Sequence, residues 1–368
     1  MLEKGKISAV QLAVLMYPTI LATGFLLLPS ITAKYAGNDL WIATLLASVS
    51  GFVAIFAAYR LHKLYPEYTV IEYGEQILGR VLGKIVGFVF VIFYLHTTGV
   101  IAREYAQFVV GSFFFRTPMI FVICSMILLC AVAVRGGVEL VARSAQILTP
   151  VFILPLAMLL LLIPDLDVRN IFPVLEHGFV PVLQGAATPQ AWFSEYFLIS
   201  FFLPFLAKGQ KGAKWSTISL SAAVASLLFT NLIVYFLFGE DTATKNYPVL
   251  IAFRYISLAE FIENLEAVLL AAWVIGSFIK IAVFYYAAAL SAGQWLNLSD
   301  YRPVVLPLGI LIVAFSYWDL PNFPQLAKFL STTGPFYILT TQAAIPLLLL
   351  LVAVLRKRKR RPKGASAP

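Results

Sequence analysis

Leu21-Ala22-Thr23-Gly24-Phe25 and Gly185-Ala186-Ala187-Thr188-Pro189-Gln190-Ala191-Trp192-Phe193-Ser194-Glu195 interrupt two apolar spans, the first and the sixth of the chain. In lipid every backbone group needs a partner, so an unwound helix persists only where it lines a cavity or packs on protein. Matching interruptions in two halves of a chain point to a small-solute site near the bilayer midplane. A glycine at the first break would bring bare amides and carbonyls to a ligand, and a half-helix N-terminus there would favour a carboxylate. Thr23, Gly24, Phe25, Trp192 and Ser194 are therefore the candidate ligand-binding residues.

Working outward, the 368 residues are 61% hydrophobic and only 12% charged, with a mean hydropathy of +0.88. That composition excludes a soluble domain and predicts an all-α integral membrane protein. Stretches of about 20 apolar residues, enough to cross a hydrocarbon core, fall at 9–33, 39–60, 85–113, 119–134, 145–163, 187–207, 216–238, 265–290, 303–317 and 335–355. About ten transmembrane helices are expected. Residues 1–355 read as a single polytopic membrane domain, and 356–368 as a basic cytoplasmic tail. With the N-terminus inside, the inner segments carry 19 of the 27 Lys and Arg, which predicts two cytoplasmic termini. The first span is too long for a signal segment and is expected to remain as an anchor.

The net charge of +9 sits largely against membrane ends, above all in Arg356-Lys357-Arg358-Lys359-Arg360-Arg361. Membrane lipids, not nucleic acid, are the expected partner. Cys124 and Cys130 lie within one span on different faces and predict neither a disulfide nor a metal site. Gly79, Gly83 and Gly87 form two GxxxG steps that let a neighbouring helix approach. The Gly79-Arg80-Val81-Leu82-Gly83-Lys84 stretch is one residue short of a phosphate loop and is followed by Ile85, where Ser or Thr would hold magnesium. Val249 to Ile262 reads as an amphipathic helix, either on the outer surface or capping the bundle.

Intramembrane charges are costly and face the interior. Glu195 needs a partner, and Arg103 is the leading candidate because a guanidinium suits a carboxylate. Glu104, about 100° round the same helix, is a poorer match. His96, Arg103 and Gln107 share one face, so His96 is either a proton-relay group or a hydrogen-bonded core residue. Lys280, near the middle of its span, reads as a coupling group or a fixed charge in place of a bound cation. Arg103, Glu195, Lys280 and His96 thus form the candidate charge network. No nucleophile–base constellation, metal spacing or dinucleotide loop is present, so the chain does not read as an enzyme and no cofactor is expected.

At Thr23-Gly24-Phe25-Leu26-Leu27-Leu28-Pro29, Leu78 to Lys84, Arg103, Asn170-Ile171-Phe172-Pro173-Val174-Leu175 with Gly178, Phe193-Ser194-Glu195 with Pro204, Tyr247-Pro248, Phe261-Ile262-Glu263 with Glu266, and Trp273, the chain resembles a known family. It is similar to the B subunits of bacterial spore germinant receptors, endospore germination permeases of the amino acid, polyamine and organocation superfamily. The resemblance spans nearly the whole length. It implies a leucine-transporter-like fold, a 5+5 inverted repeat with broken first and sixth helices. It also implies a subunit that senses a small-molecule germinant, commonly an L-amino acid, in the inner membrane of the spore, with an A subunit and a lipoprotein C subunit as partners. Ser194 stands where the family pattern usually has Gly, which changes the pocket floor. A proton-coupled amino acid transporter is the alternative reading, with Lys280 or Glu195 changing protonation. A third, a scaffold that only docks partner subunits, would make the breaks incidental.

Overall fold

A computed structural model of the chain describes residues 3–256 and 265–360, and among these residues the architecture is helical, with one isolated bridge and no strand. Apolar runs this long become helices because that is how a segment satisfies its own backbone out of water. The helices are α1 (Ala9–Ala36), α2 (Leu40–Leu64), α3 (Val70–Leu78), α4 (Arg80–Ser112), α5 (Met119–Arg135), α6 (Val138–Met158) and α7 (Val180–Ser194). There follow α8 (Gly212–Phe238), α9 (Pro248–Tyr255), α10 (Glu266–Trp295), α11 (Arg302–Trp318), α12 (Phe323–Ser331), α13 (Thr333–Leu339) and α14 (Ile345–Arg360).

Each of the ten expected spans falls on helix, but the count of ten is not established. By length and composition six stretches among the described residues can cross a membrane, or up to seven if the bent pair α11–α12 counts as one span. One of the six, Ala9–Leu64, joins α1 and α2 through the short 3₁₀ turn Gly37–Asp39. Met119–Arg135 is shorter than the length required.

The expected break in the first span is absent. Helix α1 starts at a capping box, with Ser8 accepting the Gln11 N–H, and runs unbroken through Thr23-Gly24 for 28 residues. The glycine serves close packing instead: a Cβ on Gly24 would lie 3.1 Å from Leu227 of α8 and 3.7 Å from Trp192 of α7. With both neighbours that close, no polar group competes for the backbone, and the helix keeps its own bonds. The sixth span does change its winding, at Ser194: α7 gives way to 3₁₀ turns over Glu195–Phe201 and Leu203–Phe205. Pro189 stays inside α7, so the discontinuity falls at the end of the predicted stretch.

Beside the N-terminus, Ile7 and Leu206 form a parallel bridge, with Ile7 N–H donating to Phe205 O at 3.0 Å. Glu3 is buried there, accepting from Val138 N–H at 3.0 Å and from the Tyr301 hydroxyl at 3.1 Å. One carboxylate so ties the chain start to the beginnings of α6 and α11.

Of the GxxxG steps, Gly83 faces the backbone of Glu75 in α3, and Gly87 faces Trp295 at the end of α10. Gly79 lies between α3 and α4 at φ +88°. The amphipathic stretch from Val249 appears as α9, which buries Val249, Leu250, Ala252 and Phe253 and so packs on the bundle. Its continuation through Ile262, the Phe261-Ile262-Glu263 motif and the basic tail beyond Arg360 lie outside the described residues.

Candidate functional site

Where the winding of the sixth span changes, three buried polar side chains meet. The Lys280 ammonium of α10 donates to Glu195 Oε2 at 2.7 Å and to Thr23 Oγ1 at 2.8 Å, and lies 5.5 Å from the Phe284 ring centre. Lys280 is 1% exposed and Glu195 2%. Mid-helix lysine and carboxylate thus satisfy each other, which is how charge is tolerated at such depth. This corrects one expectation: Glu195 bonds to Lys280, not to Arg103.

Arg103 is turned away because it sits about 100° round α4 from the chamber-facing Glu104. Its guanidinium donates to Pro321 O and lies 5.6 Å from the Tyr317 ring centre. One face of α4 therefore grips the corner between α11 and α12, where the chain bends by 99°. His96, two helical turns earlier on that face, joins it, with Nε2 2.7 Å from Asp319 Oδ2. His96 is thus outside the chamber lining, behind Phe329 and Tyr337, and is a hydrogen-bonded anchor of the corner.

Thr23, Trp192, Glu195 and Lys280 line a small chamber together with Thr97, Val100, Ile101 and Glu104 of α4 and residues of α12 and α13, Tyr337 among them. Its volume is about 20 Å³, room for about one water. Of the residues expected at the ligand, Thr23 and Trp192 are in this lining. Gly24 packs on α8, Phe25 is buried in the apolar core, and the Ser194 hydroxyl donates to Ala191 O at 2.6 Å.

Sequence reading missed Glu104. It is 3% exposed, and its Oε1 has no hydrogen-bond partner. The signal was present: Thr97, Val100, Ile101 and Glu104 follow the i, i+3, i+4, i+7 rhythm of one helix face. Glu104 and Leu330 also line a second, larger cavity of about 150 Å³ between the end of α1, the 243–247 turn and α12. Helix α12 is thus the thin wall between chamber and vestibule, and Thr188 of α7 holds it by donating to Leu330 O at 3.1 Å. Among the described residues no group of three His, Cys, Asp or Glu is placed to hold a metal ion.

The fold as a whole has a solved counterpart. In a solved structure titled MhsT in complex with L-phenylalanine, the chain superposes with a TM-score of 0.64 at 13% identity, covering 96% of this chain and 99% of that one. The fold is therefore that of the leucine transporter. Spore germination protein KB of Bacillus subtilis is 27% identical over the full length of both chains. Spore germination protein YndE of the same organism is 26% identical over 96% of this chain and 98% of its own. Spore germination protein GerQB of Bacillus cereus is 25% identical, covering 92% of this chain and 94% of its own. A family model described as "Spore germination protein" matches residues 6–324. A multi-pass helical chain of this fold, matched over so much of its length, belongs to the spore germination protein family, as the germinant-receptor membrane subunit.

Proposed function

We propose that the chamber beneath α12 is where this subunit receives its germinant, a small amino acid, and that it acts by binding, not catalysis. The observation that supports the reading most is the meeting of Thr23, Glu195 and Lys280 where the sixth span changes its winding. At about 20 Å³ the chamber admits no amino acid, so binding requires α12 or the Glu195–Phe201 turn to move. That movement is the signal passed to partner subunits, an A subunit and a lipoprotein C subunit, in the inner membrane of the spore. Both termini lie on the cytoplasmic side in this reading, and anionic lipid contacts the basic tail.

The test is thermal stability of the purified chain against amino acids, sugars and nucleosides, with Ile101→Phe filling the chamber. A ligand at about 100 times its Kd stabilises by about 2.7 kcal/mol. A shift for amino acids that shrinks in Ile101→Phe carries the reading, and an equal shift in both proteins overturns it.

A second reading, a proton-coupled amino acid transporter, is favoured by the same Lys280–Glu195 pair, because a buried pair can exchange protons with a passing load. Uptake into vesicles driven by a proton gradient selects it, and binding without uptake selects the sensor.

A further inference from the structure

A carboxylate buried in an apolar surround without a partner is costly, and structures keep such a group where something else completes it. Among the described residues Glu104 has one such oxygen: the side chain is 3% exposed, its Oε1 accepts no hydrogen bond, and it lies in the wall of both cavities. The chamber below already contains a balanced pair, since Lys280 is bonded to Glu195 and Thr23. Lys280 thus directs its bonds to Thr23 and Glu195, and Glu104 Oε1 is left open to a donor arriving from the vestibule.

The vestibule has the complementary pattern. Its floor is Glu104, and its wall is apolar, with Leu27, Ile31 and Leu326. Two lysines, Lys34 and Lys245, belong to the same lining. Lys34 is exposed, and among the described residues Lys245 has the Asp241 carbonyl at 3.3 Å and the face of Phe238 as partners. Among the described residues no carboxylate forms an ion pair with either lysine. The volume, about 150 Å³, is that of a cavity able to hold a benzene-sized solute, whereas the chamber holds about one water.

We infer that the vestibule is a second binding site, a staging site for a small zwitterion held above the chamber with its ammonium on Glu104 and its carboxylate toward Lys245 and Lys34. This rests on the chamber reading above only in that the ligand moves on past α12. The inner wall of the site is Leu330, so a bound solute sits against the barrier it must displace.

The experiment is equilibrium binding to the full chain in lipid nanodiscs, with L-leucine and L-alanine as probes, each beside its carboxamide and N-acetyl derivative. The parent is expected to bind the free amino acid at least about 10-fold more tightly than either derivative, the worth of one charge-assisted hydrogen bond. Glu104→Gln, an isosteric change, should abolish discrimination against the N-acetyl form, and Lys245→Gln should weaken discrimination against the carboxamide. Both effects should persist in Ile101→Phe. Failure of the parent to bind either amino acid at tens of millimolar overturns the inference. So does binding that vanishes in Ile101→Phe and ignores Lys245→Gln, although that result leaves the chamber reading standing. Vestibule binding with a thermal shift untouched by Ile101→Phe does the reverse, removing the chamber and keeping the vestibule.

Discussion

Replacing Lys280 by Met should destabilise the protein far more than replacing Lys280 and Glu195 together. At an effective dielectric constant of about 20, opposite charges 2.7 Å apart attract by about 6 kcal/mol. Most of that attraction only offsets the cost of taking both groups from water, because each is almost fully enclosed. The net worth of the pair is therefore small. The worth of either member to the other is not, since a lone survivor keeps its desolvation cost and loses its partner. Lys280→Met strands the Glu195 carboxylate, and Glu195→Gln strands the ammonium with Thr23 as its remaining acceptor. Each single change should cost about 3–5 kcal/mol, and the double variant between about 0 and 1. Equilibrium unfolding in mixed micelles, read by tryptophan fluorescence, measures the cycle. Single costs below about 1 kcal/mol, or a double variant equal to the sum of the singles, would falsify the buried pair and with it the electrostatic account of the chamber.

Three further outcomes follow from the packing. Arg103→Gln removes the bond to Pro321 O and the contact with Tyr317; hydrogen exchange in α12 should quicken while exchange in α8 stays as it was, and unchanged exchange in α12 would show that the corner does not need its clamp. Gly83→Ala drives a methyl into the backbone of Glu75 and should cost about 1–3 kcal/mol, whereas Gly74→Ala, with nothing within 4 Å, should be neutral or slightly stabilising; equal melting points in the two variants would contradict the close α3–α4 contact. Glu3→Ala leaves the Val138 N–H short of an acceptor, while the Tyr301 hydroxyl keeps Val134 O, at about 1–3 kcal/mol, and Glu3→Gln should recover part of that loss in a thermal melt.

The membrane-embedded helices could be read from sequence because lipid imposes one solution on any long apolar run. Lys280 and Glu195 were equally visible, since a charge in such a run cannot face lipid. Their pairing was not, because span order says nothing of which helix faces which, and Arg103 was the stronger donor on paper. Only the phase of α4 separates Arg103 from Glu104, and phase has meaning once the neighbours are placed. Thr23-Gly24 misled for a similar reason: glycine permits unwinding and close packing alike, and Leu227 with Trp192 decided for packing. Helix α12 lay in what read as an outer connection after Tyr317, because nine residues containing one lysine are too short to register as a span.

Helix α4 keeps two ledgers on one rod. Thr97, Val100, Ile101 and Glu104 look into the cavities, while His96 and Arg103 hold the α11–α12 corner. Divergence can therefore work on the two faces separately. If the proposed chamber and vestibule hold the germinant, substitutions along the first face retune which solute is recognised, while the second face keeps its hold on α12. Under that proposal a lineage facing a new food source would revise a few side chains on one stripe of one helix and leave the α11–α12 corner as it is.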